Sequence, residues 1–184
     1  MIDEKVKVRG TVCITVYGKD GRIKRGRKNW LQKLFNLQPA LMIYRNHNTL
    51  TLTGMDMIVD WMMDKNIYAK LKENNSFIQL GKGWTGTYGI KNNRCNTPLN
   101  SFYPLDKGYP KEGKNERTEL GTILFRWTIH AGQLEAEGIN EVILLNGNTE
   151  SAKSFAYAEI RPALNIQNQD SLVIEWEMGA LINY

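Results

Sequence analysis

The chain has 184 residues, of which 42% are hydrophobic, 23% are charged and 10% are aromatic. This length is typical of one domain, and the apolar fraction supports a buried core, which excludes a disordered, collagen-like or coiled-coil chain. The formal net charge is +5, and the two cysteines, Cys13 and Cys95, are too few and too isolated for a disulfide framework or a CxxC metal site.

Targeting sequences are not evident in the chain. No stretch approaches the ~18 consecutive apolar residues of a transmembrane helix. The first ten residues, MIDEKVKVRG, are charged and lack the apolar core of a secretory signal peptide. We therefore expect a soluble product made in a reducing cytoplasm.

Positive charge is concentrated at the start of the chain. Residues 1–34 contain ten lysines and arginines against three acidic residues, whereas the other 150 residues contain 14 basic and 16 acidic residues. The basicity therefore indicates one local patch rather than a protein that binds nucleic acid over its whole surface.

Residues 1–30 are predicted to form a basic β-hairpin. In residues 5–17 valine and isoleucine alternate with polar residues, which is the period of a half-buried strand. Asp20-Gly21 favours a tight hairpin turn because both central residues of a type I′ turn need positive φ. The strongly basic residues 22–30 are the predicted second strand.

Residues 31–75 are predicted to form a small helical insert. Apolar residues in the sequence WLQKLF, at 30–35, are spaced three and four apart, and the same spacing recurs at Ile58, Trp61 and Met62. Thr53 is the predicted N-cap of the second helix, and Asp56 would place a carboxylate near its positive end.

Residues 76–184 are predicted to form the β core of the same single domain. Strand patterns lie at 77–81, 121–129, 141–145, 154–162 and 171–181, with turn sequences between the later ones. Residues 82–118 contain three prolines and many glycines, asparagines and lysines, and are predicted to form a long surface loop. Because no helical patterns separate the later strands, we expect a mainly β chain folded as an antiparallel β-sandwich or jelly roll.

The chemistry-bearing motifs do not support catalysis. Residues 81–86, GKGWTG, match the letters of the dinucleotide fingerprint, but the residues that follow lack the helix that would face a pyrophosphate. His47 and His130 are the only histidines, and neither has a second ligand at metal-binding spacing. No nucleophile elbow or P-loop is present. The sequence therefore predicts no enzymatic activity, no cofactor and no metal.

Three groups of residues are candidates for contact with a partner. The basic group fits an acidic protein surface or a phosphate backbone, or it is a solvated strand edge that resists aggregation. The loop aromatics either contact a partner or fold back on the sheet. The acidic group could meet the basic group of a neighbouring copy in a closed ring. The groups are Arg22, Lys24, Arg25, Arg27 and Lys28; Trp84, Tyr88, Tyr103 and Tyr109; and Glu135, Glu137 and Glu141.

The order of short motifs along the chain resembles that of a group of tailed-bacteriophage virion proteins. The resemblance covers nearly the whole chain and departs from the family pattern at residues 36–53, which look inserted, and at the long lysine-rich stretch 100–118. In chain order the motifs are the Asp-Gly hairpin, Asn29-Trp30-Leu31, a glycine-introduced helix at 54–63, an apolar strand and GxG loop at 77–83, Thr97-Pro98-Leu99, INEVIL at 139–144, AYAE at 156–159 and SLVIEW at 171–176.

This resemblance implies a non-enzymatic structural part of a phage particle, in the neck, tail, baseplate or capsid surface. Such a protein would bind other virion proteins and copies of itself, would be made in the host cytoplasm, and would contact no membrane. A carbohydrate-binding module for host adhesion is the alternative, with Trp84 and the loop tyrosines as its platform. A third hypothesis is a nucleic-acid-binding accessory protein that uses residues 19–28.

Overall fold

Antiparallel strands dominate the fold and form one curled sheet. The computed structural model describes residues 6–26, 30–84, 94–114 and 121–182. The prediction of a mainly β chain is confirmed. Within the described residues the elements are β1 (Val6–Tyr17), α1 (Trp30–Leu34), β2 (Ile43–Leu50), α2 (Leu52–Met62), β3 (Phe77–Lys82), β4 (Thr97–Pro104), β5 (Lys111–Lys114), β6 (Gly121–Ile129), β7 (Ala136–Leu145), β8 (Ser154–Ile166) and β9 (Ser171–Ile182).

The strands pair in the order β4–β3–β7–β8–β2–β1–β9–β6–β5. β1 and β9 pair over their whole length, from Val6 opposite Ile182 to Tyr17 opposite Ser171. The curl brings the residues after β4 against β6, where the backbone N–H of Asp106 donates to the carbonyl of Arg126 at 2.9 Å. Chain segments from opposite ends of the strand order are therefore neighbours in space.

The main core lies on the inner face of this curled sheet. Val12, Ile14 and Val16 are all buried there, which confirms the alternation predicted for β1. Trp127 of β6 and Trp176 of β9 are fully buried, and their rings meet edge to face with centroids 6.4 Å apart. Each fully buried valine or isoleucine of such a core stabilises the fold by about 1.5–3 kcal/mol.

A turn is present at the predicted place, but only Gly21 of Asp20-Gly21 has a positive φ (70°), so it is not the predicted type I′ turn. The predicted second strand is also not found among the described residues. The N–H of Gly18 donates to the carbonyl of Arg22 at 2.9 Å, which closes the turn. Among the described residues that follow, pairing is limited to isolated bridges, one of which joins Arg25 to Leu41. The strand that pairs with β1 on this side is β2, with residues 43–47 opposite residues 11–15.

β2 lies inside the segment predicted to be a helical insert. The prediction for residues 31–75 is therefore correct for α1 and α2 and wrong for residues 43–50. Asn46 and Asn48 hold half-buried positions of the alternation, and asparagine has low β propensity, so the strand pattern is weak in the sequence. Residues 43–47 of β2 pair with β1 and residues 48–50 pair with β8. One short strand therefore joins the two halves of the sheet.

The predicted surface loop at 82–118 contains β4 and β5, so that prediction is wrong for these two strands. Pro98 and Pro104 lie on β4, which pairs with β3 and stands at an edge of the sheet. An edge strand tolerates proline because one side of its backbone needs no N–H donor. Residues 85–93 and 115–120 of the same stretch lie outside the described residues.

A close backbone contact holds α2 against β8. The helix is capped by Thr51 rather than by the predicted Thr53, and Oγ1 of Thr51 accepts from the N–H of Gly54 at 2.9 Å. The same oxygen donates to the carbonyl of Ser154 at 2.7 Å. A Cβ atom at Gly54 would lie 1.9 Å from the carbonyl oxygen of Phe155, so only glycine allows this approach.

Replacing Gly54 by alanine should destabilise the protein, although alanine favours a helix over glycine by about 1 kcal/mol. The added methyl group would collide with the backbone of Phe155, and overpacking of this kind costs about 1–3 kcal/mol. Urea unfolding measures the difference. Gly121→Ala is the matched control, because no atom lies within 4 Å of its Cβ position. Equal stability of the two variants would contradict the proposed contact.

Candidate interaction surface

Two members of the basic group bind the chain itself. The Nζ atom of Lys24 lies 2.5 Å from Oδ2 of Asp170, whose side chain is 1% exposed. Arg25 donates from Nη1 to the carbonyl of Pro39 at 3.0 Å. These two cations therefore attach the segment after β1 to the residue before β9 and to the chain at Pro39. Of the other members, Arg22 is exposed, whereas Arg27 and Lys28 lie outside the described residues.

The acidic group does not form the surface cluster that the sequence predicts. Glu135 and Glu137 are exposed near the start of β7, but Glu141 is fully buried. From Glu141 onward, Trp84, Cys95 and Phe102 pack on the outer face of β7. The prediction of Glu141 as a partner contact is therefore wrong, and the proposed acidic partner of the basic group is reduced to two glutamates.

Glu141 is instead the centre of a buried polar cluster. The hydroxyl of Tyr157 donates to its Oε2, and the backbone N–H of Thr97 donates to its Oε1 at 3.2 Å. Cys95 packs in the same place and is 4% exposed. Gly81 makes room for both, since a Cβ there would lie 2.4 Å from Cβ of Cys95 and 2.7 Å from Oε1 of Glu141.

The electrostatics of this cluster favour the protonated forms of Tyr157 and Cys95. Burial raises the pKa of the Tyr157 hydroxyl, and the hydrogen bond and negative charge of Glu141 raise it further. Burial also raises the pKa of the Cys95 thiol, again with help from Glu141. Because the thiolate is the nucleophilic form, a thiol held protonated is a poor nucleophile. The role of the cluster is structural, because the hydrogen bonds of Glu141 to Tyr157 and Thr97 join β7 to β8 and to the start of β4.

Trp84 packs back onto the outer face of the sheet. Its ring lies on that of Tyr157, with centroids 5.2 Å apart. Its backbone N–H donates to Oδ1 of Asn140 at 3.1 Å, which fixes the chain at the end of β3. One face of the indole is therefore occupied by the protein, as expected of a residue that folds back on the sheet.

The described loop tyrosines are also engaged by the protein. Tyr103 is 7% exposed, and its hydroxyl donates to the carbonyl of Gln133 at 3.2 Å. Tyr109 is half-buried, with Nζ of Lys111 over its ring at 4.6 Å from the centroid. Tyr88 lies outside the described residues. These placements do not favour the carbohydrate platform considered as an alternative.

The exposed surface around α1 is strongly apolar, which the sequence pattern did not reveal. The helical spacing of residues 30–35 is confirmed for α1, but the apolar side chains face outward instead of packing on the core, and α1 has no buried residue. We call residues 30–37 the α1 segment. Its exposed large side chains are Trp30 (71%), Leu31 (44%), Leu34 (67%), Phe35 (65%) and Leu37 (55%).

A second exposed apolar row lies on α2. The helix buries Met57, and Trp61 stacks on Phe155 with centroids 5.4 Å apart. Eight of the twelve residues at 52–63 are large and apolar. A helix with so many apolar residues needs apolar partners on more than one side. The high number of apolar residues at 52–63 is therefore the feature of the sequence that could have indicated this surface. We call the exposed row the α2 outer face: Leu52 (48%), Met55 (42%), Val59 (54%) and Met62 (80%).

Comparison with known proteins found no match to a protein-family model, a curated protein or a solved structure. Among the residues that the structure describes, no three histidine, cysteine or acidic side chains are grouped as metal ligands. In the same part of the chain, no helix has the length and hydrophobicity needed to cross a membrane.

Replacing Tyr157 by phenylalanine should destabilise the protein by about 1–3 kcal/mol, because a buried oxygen of Glu141 would lose its hydrogen-bond donor. Tyr103→Phe is the matched control, since its hydroxyl donates to a carbonyl near the surface and its loss should cost about 0.5–1.5 kcal/mol. Urea unfolding of both variants measures the difference. An unchanged stability of Tyr157→Phe would contradict the role given to the cluster.

Proposed function

We propose that the chain is a non-enzymatic structural subunit that assembles with copies of itself through its exposed apolar surfaces. The observation that carries this proposal is the α1 segment, which leaves five large apolar side chains between 44% and 71% exposed. Large contiguous apolar patches on a protein surface mark interaction sites. The partner we propose for this segment is the α2 outer face of a neighbouring copy.

The size of the α1 segment supports an interface. An aromatic side chain carries roughly 150–250 Å², so Trp30 and Phe35 together expose roughly 300 Å² at their fractions of 71% and 65%. The three leucines add to this area, and the largest apolar patch on a typical monomer, about 300–600 Å², is often functional. A stable interface buries about 800 Å² on each partner. The α1 segment would therefore supply a large share of one side.

Charge and position support a head-to-tail contact between copies. α1 contains Lys33 and no acidic residue, whereas α2 exposes the carboxylate of Asp56 and contains no lysine or arginine. The two surfaces lie on either side of β2 along the chain, and an eight-residue strand spans about 26 Å. A contact between two different surfaces of neighbouring copies is heterologous, and such contacts build rings or filaments.

As the setting of this assembly we propose the neck, tail, baseplate or capsid surface of a tailed-phage virion. The order of motifs along the chain, from the Asp-Gly turn to SLVIEW at 171–176, supports this setting. We also propose that the curled sheet is a sandwich of jelly-roll type. The division of strands into two groups joined by β2 supports this arrangement.

Two variants that each carry one added charge should be monomeric alone and should form a dimer when they are mixed. Leu34→Glu places a charge in the α1 segment and leaves the α2 outer face intact. Val59→Glu places a charge in the α2 outer face and leaves the α1 segment intact. In a 1:1 mixture the intact α1 segment of Val59→Glu can dock on the intact α2 outer face of Leu34→Glu. Sedimentation velocity should show an oligomer for the unmodified chain, monomers for each variant alone, and a dimer for the mixture.

Ala131→Glu is the control, because it adds the same charge on an exposed turn outside both surfaces, and it should assemble normally. High salt should leave the apolar contact intact but would dissociate a contact between the basic group and Glu135 and Glu137. A monomeric unmodified chain, or variants that still assemble alone, would overturn the proposal. Two monomers that fail to combine would exclude the α2 outer face as the partner surface.

A further inference from the structure

A cavity of about 400 Å³ lies between α2 and the inner face of the curled sheet. Ile58 and Trp61 of α2 form one wall, and Ile123, Phe125 and Met178 of β6 and β9 form the other. Pockets that bind small molecules have volumes of about 300–1,000 Å³ and mostly apolar linings. The cavity therefore has the size and lining of a ligand site.

Ile123 indicates that the core is left unfilled at this point. It shares the inward-facing positions of β6 with Phe125, Trp127 and Ile129, which are 3%, 0% and 0% exposed. Ile123 itself is 49% exposed. Protein interiors are normally close-packed, with few voids larger than a water molecule. An inward-facing isoleucine that remains half exposed therefore marks the opening of the cavity.

Hydrogen bonds hold the α2 wall of the cavity in place. Nε1 of Trp61 donates to the carbonyl of Tyr68 at 3.1 Å, and its ring stacks on Phe155. The buried carboxylate of Asp60 accepts from the backbone N–H groups of Ile67 and Tyr68 at 3.0 and 2.9 Å. The wall is thus formed before any ligand arrives, and the indole N–H is already engaged by the protein.

Lys70 is the charged residue among the described residues that line the cavity. It is exposed, and its amino group forms no ion pair with any residue that the structure describes. Within the part of the chain that the structure describes, the other lining residues are carbon-rich side chains and two glycines. Such a lining offers little hydrogen bonding to a sugar or a nucleotide base. It fits a molecule with an apolar body and one anionic end.

We propose that this cavity binds a medium-chain acyl carboxylate. The acyl chain lies between Trp61 and Ile123, and the carboxylate contacts the amino group of Lys70 at the rim. The cavity-lining residues include neither members of the α1 segment nor members of the α2 outer face. Ligand binding and assembly can therefore succeed or fail independently of each other.

Isothermal titration calorimetry of the full-length chain with decanoate tests the proposal, with decanol as the uncharged probe of equal chain length. The titrations are run on the unmodified chain and on Leu34→Glu, so that binding to the α1 segment or dissociation of an oligomer is not mistaken for cavity binding. Both proteins should bind decanoate with one site per chain, and both should bind decanol.

Variants locate the site and its charge. Ile123→Trp fills the cavity and should abolish binding of both probes, with Leu71→Phe as a second filling variant if the first does not fold. Ala131→Trp adds the same indole on an exposed turn and should bind as the unmodified chain does. Lys70→Gln should weaken the binding of decanoate by about 2- to 5-fold, as expected for the loss of a partly exposed ion pair. It should leave the affinity for decanol unchanged.

Three results would overturn the proposal. The first is that neither probe binds, in which case the cavity is only a packing defect or accepts a side chain of another protein. The second is that binding survives in the filling variants, which would place the ligand elsewhere. The third is that Lys70→Gln changes the binding of both probes equally or of neither, which would show that the carboxylate does not contact Lys70.

Discussion

β2 is shared between two partner strands, and this sharing holds the curled sheet together. Residues 43–47 pair with β1 and residues 48–50 pair with β8, so this strand joins the two halves of the curled sheet. α1 and its extension precede β2, and α2 begins two residues after it ends. β2 therefore lies between the two exposed apolar surfaces along the chain.

α2 connects the structural and functional parts of this account. Gly54 and Thr51 fasten the helix to β8, and Trp61 stacks on Phe155 at the edge of the cavity. The opposite side of the same helix is the α2 outer face. The buried cluster around Glu141 has a different role, because the raised pKa values of Cys95 and Tyr157 make these groups structural rather than nucleophilic.

Much of the sheet could be predicted from the sequence because alternation is a local property. β6 was predicted with its observed bounds, and the buried positions of β1 follow the valine and isoleucine pattern. β2 could not be predicted this way, since Asn46 and Asn48 weaken the pattern. The burial of Glu141 could not be predicted either, because it depends on Trp84 and Cys95, which are distant in sequence. Helical spacing does not show whether an apolar stripe such as that of α1 faces the core or a partner.

Hydrogen exchange of the α1 segment at low and high protein concentration tests whether this segment is buried between copies of the chain. The helix is short and exposed, with backbone bonds such as that from Phe35 N–H to the Leu31 carbonyl at 2.9 Å, so its amides should exchange rapidly in a dilute monomer. They should become protected as the chain assembles at high concentration, because assembly buries the α1 segment. An oligomer in which the α1 segment exchanges as rapidly as in the monomer would contradict it.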